Sequence, residues 1–133
     1  MKRLLWSVGL VSLWVCLSLS SSCTTIDQWG RKPPEKTTEL LNRGKKLYEE
    51  NCIQCHGPKG DGKGWKAAEL KKKPRDFTVP FNEWSYSHGD PQKIFEVLKT
   101  GIPDTAMTEF RFSDQDQWAL VYRVMEFSKG DGQ

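Results

Sequence analysis

The sequence predicts an all-α domain built from three main helices and long loops. Three segments repeat apolar residues at helical spacing, and no segment shows the convincing alternation that is typical of a strand. Residues 52–90, rich in Gly, Pro and Lys, separate the first two predicted helices. So long a connection without regular structure is uncommon in a small domain. We therefore expect this connection to wrap a large cofactor.

The first predicted helix spans residues 38–51. Thr37 or Thr38 is its expected N-cap, because a hydroxyl there can accept a hydrogen bond from a free backbone N–H group. We expect its apolar residues to form one buried face at helical spacing: Leu40, Leu41, Gly44, Leu47 and Tyr48.

The second predicted helix spans residues 91–99. Asp90 precedes it as a cap, Pro91 suits the first helical position, and Gly101 follows its end. The third spans residues 114–128 after the cap residue Ser113, with acidic residues in the first turn, where the helix dipole favours negative charge. Its expected apolar stripe consists of Trp118, Val121, Tyr122 and Met125.

Residues 1–22 have the features of a bacterial export signal. Lys2 and Arg3 give a positive start, and residues 4–19 form a mostly apolar run, shorter than the roughly 20 residues of a bilayer span. The following LSSSC resembles a relaxed lipoprotein cleavage box, which implies that Cys23 becomes the lipid-bearing first residue of the mature protein. Cleaved export without a lipid and a retained N-terminal anchor are the alternatives. All three place the domain outside the cytoplasm, and the favoured one tethers it on the periplasmic side of a bacterial membrane.

The mature chain is predicted to hold one domain. Residues 23–35 form a polar, flexible tether, residues 36–129 the globular domain, and residues 130–133 a C-terminal tail. The formal net charge of +3 falls to +1 without residues 1–22, since 18 basic residues then face 17 acidic ones. This balance gives no indication of a nucleic-acid partner.

The segment Cys52-Ile53-Gln54-Cys55-His56 carries the clearest chemical signal. A zinc site needs four ligands, and His88 is the one further candidate in the mature domain. A thioredoxin-like dithiol would sit at the junction of a strand and a helix, whereas this motif follows a helix. A plain disulfide leaves His56 unexplained. Covalent haem accounts for all five positions, because both thiols can bind haem vinyl groups and His56 is then held at the iron.

A haem iron has a second axial position. Met107 lies in the turn-rich stretch KTGIPDTAMTEFRF, outside the helical stripes, where packing alone gives little reason for a methionine. Met107 is therefore the predicted second ligand of one haem c, and His56 the first. His88 is the competing ligand, and an open or water-bound iron is the remaining alternative.

The motifs GKKLYEENCIQCHG, GIPDTAM and WALVYRV resemble those of the class I, monohaem bacterial cytochromes c over residues 38–128. The resemblance implies the cytochrome c fold, in which the first and last helices cross and a small residue meets an aromatic one. Gly44 and Tyr48 against Tyr122 match that pattern. It also implies that the loop methionine, here Met107, is the distal ligand. The family often has Gly where this chain has Asp104.

An iron ligated by His56 and Met107 leaves no position for a substrate. The predicted function is therefore single-electron transfer by a membrane-tethered carrier rather than catalysis, with a reduction potential raised by methionine. A haem c subunit of a larger respiratory oxidoreductase complex is one alternative. A ligand-binding haem sensor or enzyme with a labile distal site is another.

The remaining predictions concern the surroundings of the haem. Arg75, Trp84 and Tyr86 are candidates to line the haem or to bind its propionates, with packing or a solvated surface as the alternative. Seven basic residues could surround the exposed haem edge and steer an acidic redox partner: Lys59, Lys63, Lys66, Lys71, Lys72, Lys73 and Arg75. A solvated lysine-rich loop is the alternative. The protein is expected to be a monomer.

Overall fold

The computed structural model describes residues 32–128 of the 133-residue chain. The predicted signal peptide, Cys23, most of the tether and the C-terminal tail lie outside the described residues. Within them the chain forms four α-helices, and no strand is assigned to residues 32–128. The all-α prediction is confirmed. The helices are α1 (Thr38–Asn51), α2 (Ile53–His56), α3 (Pro91–Thr100) and α4 (Asp114–Met125).

The three predicted helices begin where their caps indicate. Thr37, Asp90 and Ser113 each accept a hydrogen bond from a backbone N–H group of the first turn. Helix α1 has the predicted bounds, and α3 is one residue longer than predicted. The connection from α1 to α3 contains α2 and two 3₁₀ helices, Ala67–Glu69 and Phe81–Glu83.

Helix α4 ends three residues earlier than predicted. After Met125 the chain tightens into a turn, in which the Phe127 N–H donates to the carbonyl of Val124 at 3.3 Å. This turn places the Phe127 ring beside Gly60, where an added Cβ would lie 2.6 Å from the ring. Packing against a distant loop thus ends a helix that the local sequence would continue.

Helices α1 and α4 make the most extensive contact between helices in the described part of the chain. A Cβ added at Gly44 would lie 2.2 Å from the carbonyl oxygen of Ala119. The aromatic contact of α1 is between Tyr48 and Phe127, whose ring centroids are 5.0 Å apart. Tyr122 instead donates its hydroxyl to the Pro34 carbonyl at 2.5 Å. The small-residue contact is therefore present, with Ala119 rather than Tyr122 as the near neighbour.

The middle of α4 lies in the core. Its residues 118–121 are 0% exposed, and the Trp118 ring stacks on Phe95 of α3 at 4.7 Å. At the rim, Arg43 of α1 donates two hydrogen bonds to Asp116 of α4, at 2.7 and 3.1 Å. This pair lowers the pKa of the Asp116 carboxyl. Among residues 32–128, no helix is long and apolar enough to cross a membrane.

Candidate functional site

A cavity of about 700 Å³ lies between α1, α2, α3 and α4 and the loops that connect them. Its volume is typical of a site for a small molecule or cofactor, about 300–1,000 Å³. Apolar side chains from both loops and helices form much of its wall, among them Phe77, Trp84, Leu98 and Phe110. The long connection between α1 and α3 wraps this cavity, in keeping with its expected role.

The cavity brings together the four side chains that were predicted to hold a cofactor. Cys52, Cys55, His56 and Met107 all line its wall, although Met107 is 51 positions after His56 in the sequence. His88, the competing ligand, does not line the cavity and is exposed on the loop before α3. The structure therefore separates His88 from the other candidate ligands.

His56 is held in one orientation by two neighbours. Its Nδ1 lies 3.1 Å from the carbonyl oxygen of Arg75, and its ring stacks on Phe77 with centroids 4.6 Å apart. A carbonyl oxygen only accepts, so Nδ1 carries the proton and the Nε2 lone pair is available to a metal. Burial lowers the pKa of His56, which favours the neutral imidazole.

The Arg75 carbonyl and the Phe77 ring were missed by sequence reasoning. Arg75 was considered only for its guanidinium, since every residue carries a carbonyl and no pattern indicates which one will meet a histidine. Phe77 lies two residues after Arg75 in the sequence. Its N–H donates to the Gly60 carbonyl at 2.7 Å. A loop-to-loop hydrogen bond thus places the ring against His56.

Three successive carbonyls of α2 anchor the loop that follows it. Gln54, Cys55 and His56 accept hydrogen bonds from the N–H groups of Lys66, Gly64 and Gly62, at 2.9, 3.0 and 2.9 Å. Gly64 is required by this contact, because an added Cβ would lie 2.3 Å from the Gln54 carbonyl oxygen. The cysteine pair and His56 are therefore held by a rigid backbone.

The two cysteines are free thiols in the structure, so they form no disulfide here. Burial, with a contribution from Cys55, raises the pKa of Cys52 to about 12. A redox-active dithiol needs a lowered thiol pKa instead. No group of three or more His, Cys, Asp or Glu within residues 32–128 is arranged to hold a metal ion, so the zinc interpretation finds no support there.

Met107 is presented by a short loop with its own hydrogen bonds. The Ile102 N–H donates to the Met107 carbonyl at 2.8 Å, and the Met107 N–H donates to the Thr105 hydroxyl at 3.0 Å. Asp104 has a φ of 58°, which explains why glycine is common at this position, and Asp tolerates it better than most residues. The loop geometry is thus set around Met107 itself.

The chain that leaves this loop is clamped at Phe110. The Phe110 N–H donates to the Leu98 carbonyl of α3 at 2.9 Å, and its carbonyl accepts from the Gln117 side chain of α4 at 3.0 Å. Gln117 is 1% exposed and was not singled out from the sequence. A polar residue on a helix face is ordinarily a surface residue, so no local signal indicates this role.

Arg75, Trp84 and Tyr86 all line the cavity, although in different ways. The Trp84 indole N–H donates to the Val79 carbonyl at 3.1 Å, so it serves packing rather than a bound carboxylate. The Arg75 guanidinium donates to the Ser85 hydroxyl and more weakly to the Glu83 carbonyl. Tyr86 is 61% exposed at the cavity. Arg75 and Tyr86 therefore remain the candidates for propionate contacts.

The sequence matches the cytochrome c family model over residues 41–125. The chain belongs to the cytochrome c family. This match covers the cavity, both cysteines, His56 and Met107. No curated protein matches the chain significantly.

Two of the solved structures that resemble this cytochrome are a chain of a protein complex and a c-type cytochrome. One belongs to the reducing HAO-like protein complex Kustc0457/Kustc0458 of Kuenenia stuttgartiensis, with 31% identity and a TM-score of 0.68 over 75% of this chain and 49% of that one. The cytochrome thus spans about half the length of that relative. The other is the KustC0563 c-type cytochrome, with 27% identity and a TM-score of 0.50 over 65% of this chain and 98% of that one.

Family membership implies covalently bound haem c and a role in electron transfer. The side chains on the cavity wall fit that group. Two thiols, a neutral imidazole and a thioether face the same largely apolar space, and these are the donors that haem c uses. The all-α cytochrome fold predicted from the sequence is confirmed.

Proposed function

We propose that this cytochrome is a monohaem electron carrier in which Cys52 and Cys55 attach the haem and His56 and Met107 ligate its iron. One observation carries the proposal: these four side chains line a single cavity. The chain contains one CxxCH motif, which supports one haem. His56 and Met107 line the same cavity, and His88 lies outside it. This arrangement favours His/Met ligation over His/His ligation.

The bound haem would supply one-electron exchange between Fe(III) and Fe(II). The residues of the chain control its environment. His56 and Met107 would both hold the iron, so the bound group would leave no place for a substrate, and the role that fits is electron transfer rather than catalysis. The apolar wall would disfavour the extra positive charge of the oxidised state, and a thioether ligand would act in the same direction, so both would raise the reduction potential. The anchored backbone at residues 54–56 limits rearrangement between the two states.

The proposal is tested by the mass and the visible spectra of the mature, haem-loaded protein. We expect the mass of one haem to remain attached after denaturation, and to be absent from a Cys52→Ser, Cys55→Ser double variant. The reduced protein should be low-spin and should not bind CO at neutral pH. A high-spin spectrum with ready CO binding would instead favour the ligand-binding sensor or enzyme.

We also propose that the domain is exported and tethered to a membrane through a lipid on Cys23. Support comes from the sequence pattern of residues 1–23. The wild-type protein should partition with membranes in its bacterial host, and Cys23→Ala should release the haem-loaded domain to the soluble periplasmic fraction. Release of the wild type without a lipid would show a simple cleaved signal, and retention of Cys23→Ala on membranes would show an uncleaved anchor.

A second candidate function is that of a haem c subunit within a larger oxidoreductase. The resemblance to a chain of the HAO-like complex favours it, because the match covers only 49% of that relative, and the relative belongs to a complex named for two proteins. The two candidates differ in oligomeric state. Size measurement of the native, detergent-extracted protein distinguishes a monomeric carrier from a fixed subunit.

Protein partners follow from an electron-transfer role, and we propose an acidic redox protein. The basic loop is the support for this chemistry. Three of the seven basic residues, Lys72, Lys73 and Arg75, line the cavity. The Lys73 ammonium donates to the carbonyls of Ala67 and Ala68, at 3.1 and 2.9 Å, so it also holds the loop together.

A further inference from the structure

Charge is distributed unequally over the described residues. Residues 59–75 carry seven basic and two acidic side chains, whereas the other residues of 32–128 carry nine basic and thirteen acidic ones. The six lysines of this segment are all exposed. The cytochrome therefore has one basic segment in a domain that is otherwise acidic, which favours attraction of this segment to an acidic partner.

The most exposed large hydrophobic side chain in the described part of the chain lies within this basic segment. Trp65 is 65% exposed, and Lys63 and Lys66 flank it in the sequence. A tryptophan so placed leaves a large apolar area in water, where its burial by a partner would be favourable. Tryptophan is also among the residues that most often dominate binding energy in protein interfaces.

The backbone holds Trp65 rigidly beside the cysteine pair. Gly64 and Lys66, on either side of it, donate their N–H groups to the Cys55 and Gln54 carbonyls. The N–H groups of residues 62, 64 and 66 are bonded to α2 in this way, while the side chains of Lys63, Trp65 and Lys66 are all exposed. Little conformational freedom would be lost when a partner covers Trp65, which favours binding.

We propose that Trp65, together with Lys63 and Lys66, anchors the docking surface for an acidic face of a redox partner protein. This inference rests on the proposed electron-transfer function and deepens it. A partner that binds at Trp65 contacts the loop that is hydrogen-bonded to the Cys55 and Gln54 carbonyls. The partner therefore comes close to the haem attachment site. One electron then passes between them, so that one protein is oxidised by one electron as the other is reduced.

An anionic membrane surface would also attract lysines and a tryptophan. We favour a protein partner because Trp65 lies next to the cysteine pair. A redox protein bound there would be close to the haem attachment site, which favours electron exchange, whereas a lipid surface would cover that site. The test below separates the two occupants.

The first stage uses a photo-crosslinking amino acid, benzoylphenylalanine, in place of Trp65 in the haem-loaded protein within its host. The same probe at Lys45, an exposed residue of α1, is the control. We expect a protein adduct from position 65 and not from position 45. The captured protein must contain a redox cofactor and have an acidic crosslinked face. Lipid adducts alone, equal capture at both positions, or no adduct at position 65 would overturn the proposal.

The second stage measures electron transfer between the purified cytochrome and the captured protein. Trp65→Ala should lower the second-order rate about tenfold or more, and Trp65→Phe should retain most of it. Lys63→Gln, Lys66→Gln should lower the rate and its dependence on salt, whereas the matched double variant Lys45→Gln, Lys46→Gln should not.

Spectra and potentials keep this inference separate from the proposed function. Trp65 does not line the cavity, so Trp65→Ala should leave the haem spectrum, the reduction potential and the reaction with a small anionic oxidant such as ferricyanide unchanged. A wild-type protein that transfers electrons, combined with a Trp65→Ala rate within twofold of it, would overturn the docking surface alone. A wild-type spectrum that is high-spin rather than low-spin would overturn the proposed function first.

Discussion

Replacing Met107 with alanine should lower the reduction potential of the haem-loaded cytochrome by on the order of 0.2 V. Axial ligands set haem potentials over a range of about 0.8 V, and a thioether favours Fe(II) more than water or a nitrogen donor does. Met107 lies on the cavity wall that also carries His56. Its backbone N–H and its carbonyl both form hydrogen bonds within the loop. Redox titration followed by visible spectroscopy measures the shift, and the weak far-red band of sulfur bound to iron should vanish with it.

Two matched variants serve as controls for this result. Met125→Ala removes a thioether that packs against the core and does not line the cavity. His88→Ala removes the competing ligand, which is exposed. Both should keep the far-red band and a potential close to that of the wild type. If Met107→Ala leaves the potential unchanged, Met107 is only a packing residue. A wild type that lacks the far-red band, together with a changed potential in His88→Ala, would assign the ligand role to His88.

Gly44→Ala should reduce the free energy of unfolding of the haem-loaded protein by about 2 kcal/mol, because overpacking against backbone costs up to about 3 kcal/mol and the helix propensity of alanine offsets about 1 kcal/mol of it. The added Cβ would lie 2.2 Å from the Ala119 carbonyl oxygen and 3.2 Å from the Arg123 Cβ. Backbone cannot rotate away as a flexible side chain does, so α1 and α4 must move apart. Alanine favours helix formation by about 1 kcal/mol over glycine, and this gain only partly offsets the clash. Guanidinium unfolding curves measure the difference.

Lys45→Ala is the matched control, because Lys45 adjoins Gly44 in α1 and is exposed. It should change stability by less than about 0.5 kcal/mol. Gly44→Val should be worse than Gly44→Ala, since the extra methyl groups enlarge the overlap. A Gly44→Ala protein as stable as the wild type would mean that α1 and α4 are not in close contact at this point.

The parts of the fold that could be predicted depend on neighbours in the sequence. Thr37, Asp90 and Ser113 cap the helices that follow them because each side chain needs only the first turn of its own helix. The end of α4 could not be predicted in this way. The turn after Met125 forms where Phe127 reaches Gly60, and that contact joins residues far apart in the sequence.

The same division holds within the candidate site. CxxCH is a covalent pattern whose chemistry lies in five consecutive residues, and Met107 stood out because its loop gave it no packing role. The neighbours that orient these groups belong to other segments: the Arg75 carbonyl at His56, and the Gln117 amide at Phe110. Neither residue type nor spacing marks them, because a backbone carbonyl occurs at every position and a glutamine on a helix is commonly solvated.

By itself the sequence determined the helix starts, the covalent attachment motif, the candidate second ligand and the family resemblance, since each resides in a short run of residues. The tertiary structure alone decided that Met107 and not His88 shares the cavity with His56, and that Trp65 faces outward beside the cysteine pair. Both outcomes depend on which loops meet in space. The contacts between loops are made by backbone hydrogen bonds, such as those from the Gly64 N–H to the Cys55 carbonyl and from the Ile102 N–H to the Met107 carbonyl. No local sequence pattern specifies them.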